Sequence, residues 1–135
     1  MKLEEYFKSD TAKRLGIENK TNDTSIICNI VRLDRYIVQP LRNDFPNASI
    51  HITSGYRCAA LNKAVGGVKN SQHTLGQAVD LKCDITQFWA IAMALKYNRN
   101  WVSYDQCICY TESHFFHISF VSHECNRNKY IEVKK

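Results

Sequence analysis

From Thr24 onward, Ile26, Ile27, Ile30, Val31, Ile37, Val38 and Leu41 recur at spacings of three, four and seven. That period lays one apolar stripe along a helix. Asn22, Asp23, Thr24 and Ser25 offer N-caps for it, and Pro40 should bend or end it. Ahead of it, Leu3, Tyr6 and Phe7 share a face of one or two short helices, with Gly16 as a stop after Leu15. After the turn Phe45-Pro46-Asn47 the period drops to two, Ile50 and Ile52 alternating with His51 and Thr53 as in a half-buried strand. Residues 57–65 suit a short helix ended by Gly66-Gly67, and residues 77–83 alternate again. Residues 85–97 have the apolar density of a second core helix, and 105–110 and 115–121 read as two neighbouring strands. Short strand-to-strand connections and segregated helices predict an α+β fold, a small mainly antiparallel sheet backed by helices.

The chain of 135 residues shows neither a repeat nor a linker, which predicts one domain over 1–135. Residues 1–20 read as a helical extension and 122–135 as a C-terminal tail. No apolar run reaches the roughly 18 residues of a membrane span. The amphipathic, charged start lacks the apolar stretch of a signal peptide, so synthesis in the cytoplasm is expected. Eighteen basic residues outnumber thirteen acidic ones, but they are scattered. No nucleic-acid footprint follows from that, although an anionic polymer such as a bacterial wall would suit the charge. Nothing in the pattern calls for more than a monomer. The six cysteines at 28, 58, 83, 107, 109 and 125 lack the paired spacing of a structural zinc site. They read as reduced, mostly buried thiols.

Strand parity singles out three residues. In 77–83, Val79 and Leu81 mark the core face, so Asp80 points to the other. In 115–121, Phe116, Ile118 and Phe120 mark the core face, which leaves His117 on the open side. Asp80 and His117 can thus emerge together, and the turn-rich stretch before Asp80 can fold His73 back over it. Two imidazoles and a carboxylate suit Zn²⁺, and three protein ligands leave a fourth position free, as catalytic zinc sites do.

The surrounding motifs are distinctive: Ser54-Gly55-Tyr56-Arg57, Leu61-Asn62, Val65-Gly66-Gly67, Ser71-x-His73-x-x-Gly76-x-Ala78-x-Asp80, and later His117-Ile118-Ser119. With Gln39-Pro40-Leu41-Arg42 upstream, the pattern closely resembles the zinc D-Ala-D-Ala carboxypeptidase family of peptidoglycan peptidases, in its phage-type branch with the Hedgehog/DD-peptidase fold. The resemblance implies one zinc ion on His73, Asp80 and His117. It implies that Arg57 pairs with a substrate carboxylate and that Ser71 and Gln72 line the substrate groove. Many relatives carry a glutamate as general base, often three residues before the last zinc histidine. His114 stands there, with Glu112 two residues earlier: Glu112, reaching in from the turn after Tyr110, is expected as the base, and His114, brought in by a bend near Ser113, as polariser or as the base itself.

The activity so implied is hydrolysis of an amide bond in bacterial peptidoglycan stem peptides. It would be that of a D-Ala-D-Ala carboxypeptidase or an L-Ala-D-Glu-type endopeptidase, acting as a phage lysin or virion-associated wall enzyme after release from the cytoplasm. The competing reading is a catalytically silent wall-binding or structural relative that keeps the fold.

Overall fold

The computed structural model describes residues 1–98 and 100–135. Two short helices, α1 (Glu4–Phe7) and α2 (Asp10–Leu15), open the chain, and Gly16 ends α2 in the left-handed region at φ 68°. Helix α3 (Thr24–Leu33) is capped by Asp23, whose carboxylate accepts from the backbone N–H groups of Ser25 and Ile26. Pro40 was expected to bend or end this helix. The chain instead widens into a π-turn over Asp34–Val38 and continues as α4 (Gln39–Asp44), with Pro40 in its first turn. A wider turn removes the clash of the proline ring with the carbonyl four residues back and makes its missing N–H harmless.

Strand β1 (His51–Ser54) is followed by α5 (Ala59–Ala64), a 3₁₀ turn (Gln72–Leu75), β2 (Ala78–Lys82) and α6 (Ile85–Tyr97). Strands β3 (Gln106–Tyr110), β4 (Phe115–Ser119) and β5 (Lys129–Val133) complete a five-stranded sheet in the order β1-β2-β4-β3-β5. Three pairings are antiparallel, as the sequence predicts, and β5 runs parallel to β3, which makes the sheet mixed. β5 lies in the stretch that reads as a tail. Its residues carry too little apolar alternation to announce a strand, and the long-range ladder from Gln106↔Lys129 to Tyr110↔Val133 recruits it.

One face of the sheet presents Val79, Leu81, Cys107, Cys109, Phe116 and Ile118 to the helices. Against them pack Ile30, Leu33, Ile37, Val38 and Leu41 of the α3–α4 rod, and Phe88, Ile91, Ala92 and Leu95 of α6. The N-terminal helices belong to this core. Tyr6 is 1% exposed, and its hydroxyl donates to buried Asp34 at 2.6 Å. Asn19 ties the same segment to the loop after β1, donating to the Phe7 and Tyr56 carbonyls and accepting from the Cys58 N–H. All six cysteines are free. Burial raises the Cys107 thiol well above its ordinary range, so it packs as a small apolar group. Among the described residues no helix is long and apolar enough to cross a membrane.

Candidate metal centre

The antiparallel register of β2 and β4 sets Asp80 directly opposite His117. Directly paired side chains on one face meet at about 5 Å between Cβ atoms, so a cross-strand contact is built in. His117 Nδ1 lies 3.0 Å from Asp80 Oδ1. The third member arrives on the 3₁₀ turn, where His73 Nε2 reaches the same oxygen at 3.3 Å. The Gly76 cap (φ 71°) turns the chain from there into β2, and a Cβ on it would meet the Ile26 carbonyl oxygen at 2.8 Å. Ligand atoms of His73, Asp80 and His117 all fall within 4.8 Å of one another.

The Ser-Gly-Tyr-Arg loop orients His73. The Gly55 carbonyl lies 2.7 Å from His73 Nδ1, and the Arg57 N–H donates to the His73 carbonyl at 3.0 Å. A proton on Nδ1 for Gly55 leaves the Nε2 lone pair turned to the carboxylate, which is the tautomer that a metal requires. Hydrogen bonds from both nitrogens would instead demand an imidazolium on a residue only 3% exposed. A cation held by Nε2 of His73, Nδ1 of His117 and Asp80 meets the same contacts without that charge, so the donor set fits zinc. Burial by itself would raise the Asp80 carboxyl. Without a cation, imidazolium donors at His117 and His73 would outweigh it and hold the group well below the usual carboxylate range, and a bound cation takes over that part. Asp80 is thus an anion ready to ligate.

Gly55 has no room for a side chain, because a Cβ would lie 2.6 Å from the Tyr6 carbonyl oxygen. Gly55→Ala should therefore displace the carbonyl that orients His73 and weaken zinc binding about tenfold, read by competition with a chromophoric chelator. Unchanged affinity in a folded variant would deny the loop this role.

Arg57 completes the site. Its Nε donates to Ser54 Oγ at 3.1 Å, and one terminal nitrogen lies 3.6 Å from Asp80 Oδ2. Burial lowers the guanidinium's proton affinity while Asp80 opposes the shift. The side chain remains a cation set at the edge of the ligand group.

The family model described as Peptidase M15 matches residues 1–119, nearly the whole chain. The chain belongs to the Peptidase M15 family. It is a family of zinc-dependent peptidases, and the α+β architecture with its five-stranded sheet agrees with the family fold. No match to the chain is found among curated proteins.

Within this M15 domain, Ser71 and Gln72 hold the ligand turn. Ser71 Oγ accepts from the His73 N–H at 3.2 Å, and Gln72 Nε2 donates to Asp105 Oδ2 at 3.1 Å. Asp105, 3% exposed, also receives Arg127 through Nε at 3.0 Å and through a terminal nitrogen at 2.9 Å. Sequence reading misses this pair, since Asp105 opens a strand and Arg127 lies in an unpatterned segment 22 residues on. The Arg127 hydrogen bond lowers the Asp105 carboxyl against the opposing effect of burial. A carboxyl lower in the folded than in the unfolded chain stabilises above its unfolded value, near 4. That contribution is lost as pH falls through the folded value. Asp105→Asn should cost about 1–3 kcal/mol at neutral pH, and the difference from the unsubstituted chain should shrink in urea titrations below about pH 4. A difference that does not change with pH would rule out the charge as its source.

The structure does not bring Glu112 or His114 to the ligand group. His114 lies three strand positions from His117, about 10 Å along the chain direction. Its backbone does bend, to φ 57°, but the bend takes the ring to Phe88, centroids 5.1 Å apart. Phe88 also stacks on Phe116, whose side chain occupies the face opposite His117. Glu112 is exposed on the β3–β4 turn, its N–H bound to the Lys135 carbonyl. Glu112→Gln and His114→Ala should consequently keep any hydrolytic rate within about twofold. A fall of about 10²-fold in either, the usual worth of a positioned base, would show that the turn rearranges on substrate binding.

Proposed function

We propose that this chain is a zinc-dependent peptidase that hydrolyses an amide bond in bacterial peptidoglycan stem peptides. The reading covers a D-Ala-D-Ala carboxypeptidase or an L-Ala-D-Glu-type endopeptidase, with a phage lysin or virion-associated wall enzyme as its setting. It includes synthesis in the cytoplasm and action on the wall after release. One observation carries it: His73, Asp80 and His117 converge on the open face of the sheet with the Arg57 guanidinium 3.6 Å from the Asp80 carboxylate.

Zinc in that position supplies Lewis acidity for the scissile carbonyl and lowers the pKa of water toward about 7. The chain's own residues position the reacting groups. Asp80 lends anionic charge from one oxygen to both imidazoles, and His73 keeps its Nδ1 proton on the Gly55 carbonyl. Arg57 offers a planar donor pair to a peptide carboxylate, which would fix the bond lying over the ligand group. Mass spectrometry of muropeptides after digestion of purified peptidoglycan tests the activity and identifies the bond. Products that appear with zinc and vanish with a chelator are expected; intact muropeptides under both conditions would sink the proposal.

A specific observation favours a second reading. With Glu112 and His114 turned away, neither of the expected proton acceptors stands at the ligand group, as in a relative that binds wall peptides without cutting them. Co-sedimentation with peptidoglycan that releases no new amine termini would mark that case.

A further inference from the structure

Beside Arg57 the surface opens into a cleft of about 600 Å³, whose wall includes Arg57, Lys63 and Lys69 together with Tyr56, Asn62 and Gly67. No carboxylate lines it. Among the described residues neither Lys63 nor Lys69 is ion-paired, while Arg57 shares Asp80 with two histidines. Three cations therefore face one concavity with a single, divided counter-charge. Their mutual repulsion is relieved by an anion in the cleft.

The walls are built rather than accidental. Asn62, 5% exposed, donates through Nδ2 to the Val68 carbonyl at 2.8 Å and accepts a long 3.5 Å contact from Arg57. It thereby ties the loop carrying Lys69 to the helix carrying Lys63 and to the arginine. Gly67 keeps the floor bare. A Cβ there would lie 2.1 Å from Asn62 Oδ1 and 3.2 Å from the Arg57 guanidinium.

Resting on the stem-peptide reading above, we infer that Lys63 and Lys69 form a second anion subsite, which selects peptides bearing a free carboxylate besides the one that Arg57 pairs. In a stem peptide this is the α-carboxylate of the γ-linked glutamate, and amidation of that group removes the charge. The two lysines are exposed at their ends, so the expected discrimination is moderate, about five- to tenfold.

The test uses the full chain with chelator present, so that binding is read without turnover. L-Ala-γ-D-Glu-L-Lys-D-Ala-D-Ala and its glutamate α-carboxamide counterpart are titrated by calorimetry or NMR. The free acid should bind about five- to tenfold more tightly, with a gap that narrows in high salt and falls below about twofold in K63A/K69A. K63R/K69R should keep the gap, which separates lost charge from lost structure. Equal affinity for the two peptides, no binding of either, or an unchanged gap in K63A/K69A overturns the inference. Hydrolysis of both peptides with zinc is measured separately. Cleavage without a gap overturns the subsite alone, and an intact gap without cleavage of any wall peptide overturns the peptidase reading alone.

Discussion

Alanine in place of His73, Asp80 or His117 is expected to reduce zinc affinity by at least about a hundredfold while the fold survives. Three donors would share one ion, so removing any one leaves two, and no other His, Cys, Asp or Glu among the described residues joins the group. Even residues that only orient a ligand are worth about 10–100-fold, and a direct donor should exceed that. The three substitutions differ in what they leave behind. His117→Ala and His73→Ala free one contact on Asp80, whose second oxygen still faces Arg57. Asp80→Ala removes the shared anion and leaves Arg57 beside two imidazoles, so it should cost the most metal. Inductively coupled plasma mass spectrometry after dialysis, with circular dichroism to check folding, reads the result. Stoichiometric zinc retained in folded His117→Ala would refute the assignment.

How much of this site was legible beforehand follows from the kind of contact involved. Asp80 and His117 were legible because strand parity is local: Val79 and Leu81, Phe116 and Ile118 declare the core face, and their neighbours must take the other. Local parity cannot supply the register that puts the two opposite one another, nor the 2.7 Å contact that turns His73. The family motifs supplied that pairing instead. The helix starting at Thr24 was legible from its stripe, but its continuation through Pro40 was not, since a π-turn is a tertiary compromise with no period of its own. β5 was invisible for a related reason. Its order comes from the β3 ladder and from the Asp105–Arg127 pair at its start, both long-range. The base is the instructive case. The spacing of Glu112 and His114 from His117 was correct for a loop that bends toward the open face. The left-handed residue at 114 bends it toward Phe88 instead, where an aromatic contact in the core holds the ring.

Arg57→Ala should lower kcat/KM on a stem peptide by about 10²–10³-fold while leaving bound zinc near one per chain. A charge-assisted, bidentate carboxylate contact is among the stronger hydrogen-bonded pairs, and its loss also frees the peptide to slide along the cleft. Arg57→Lys should recover little of the rate, because an ammonium keeps the charge but not the planar donor pair. The substrate supplies the matching half of the test. Converting the carboxylate that Arg57 is proposed to pair into an amide should cost the unsubstituted chain about as much as Arg57→Ala does, and should cost that variant almost nothing more. Losses that multiply instead would mean the two groups never meet. Arg57→Ala that sheds its zinc would point elsewhere again: the guanidinium would then act by holding Asp80 in place, across the 3.6 Å contact, rather than by holding substrate.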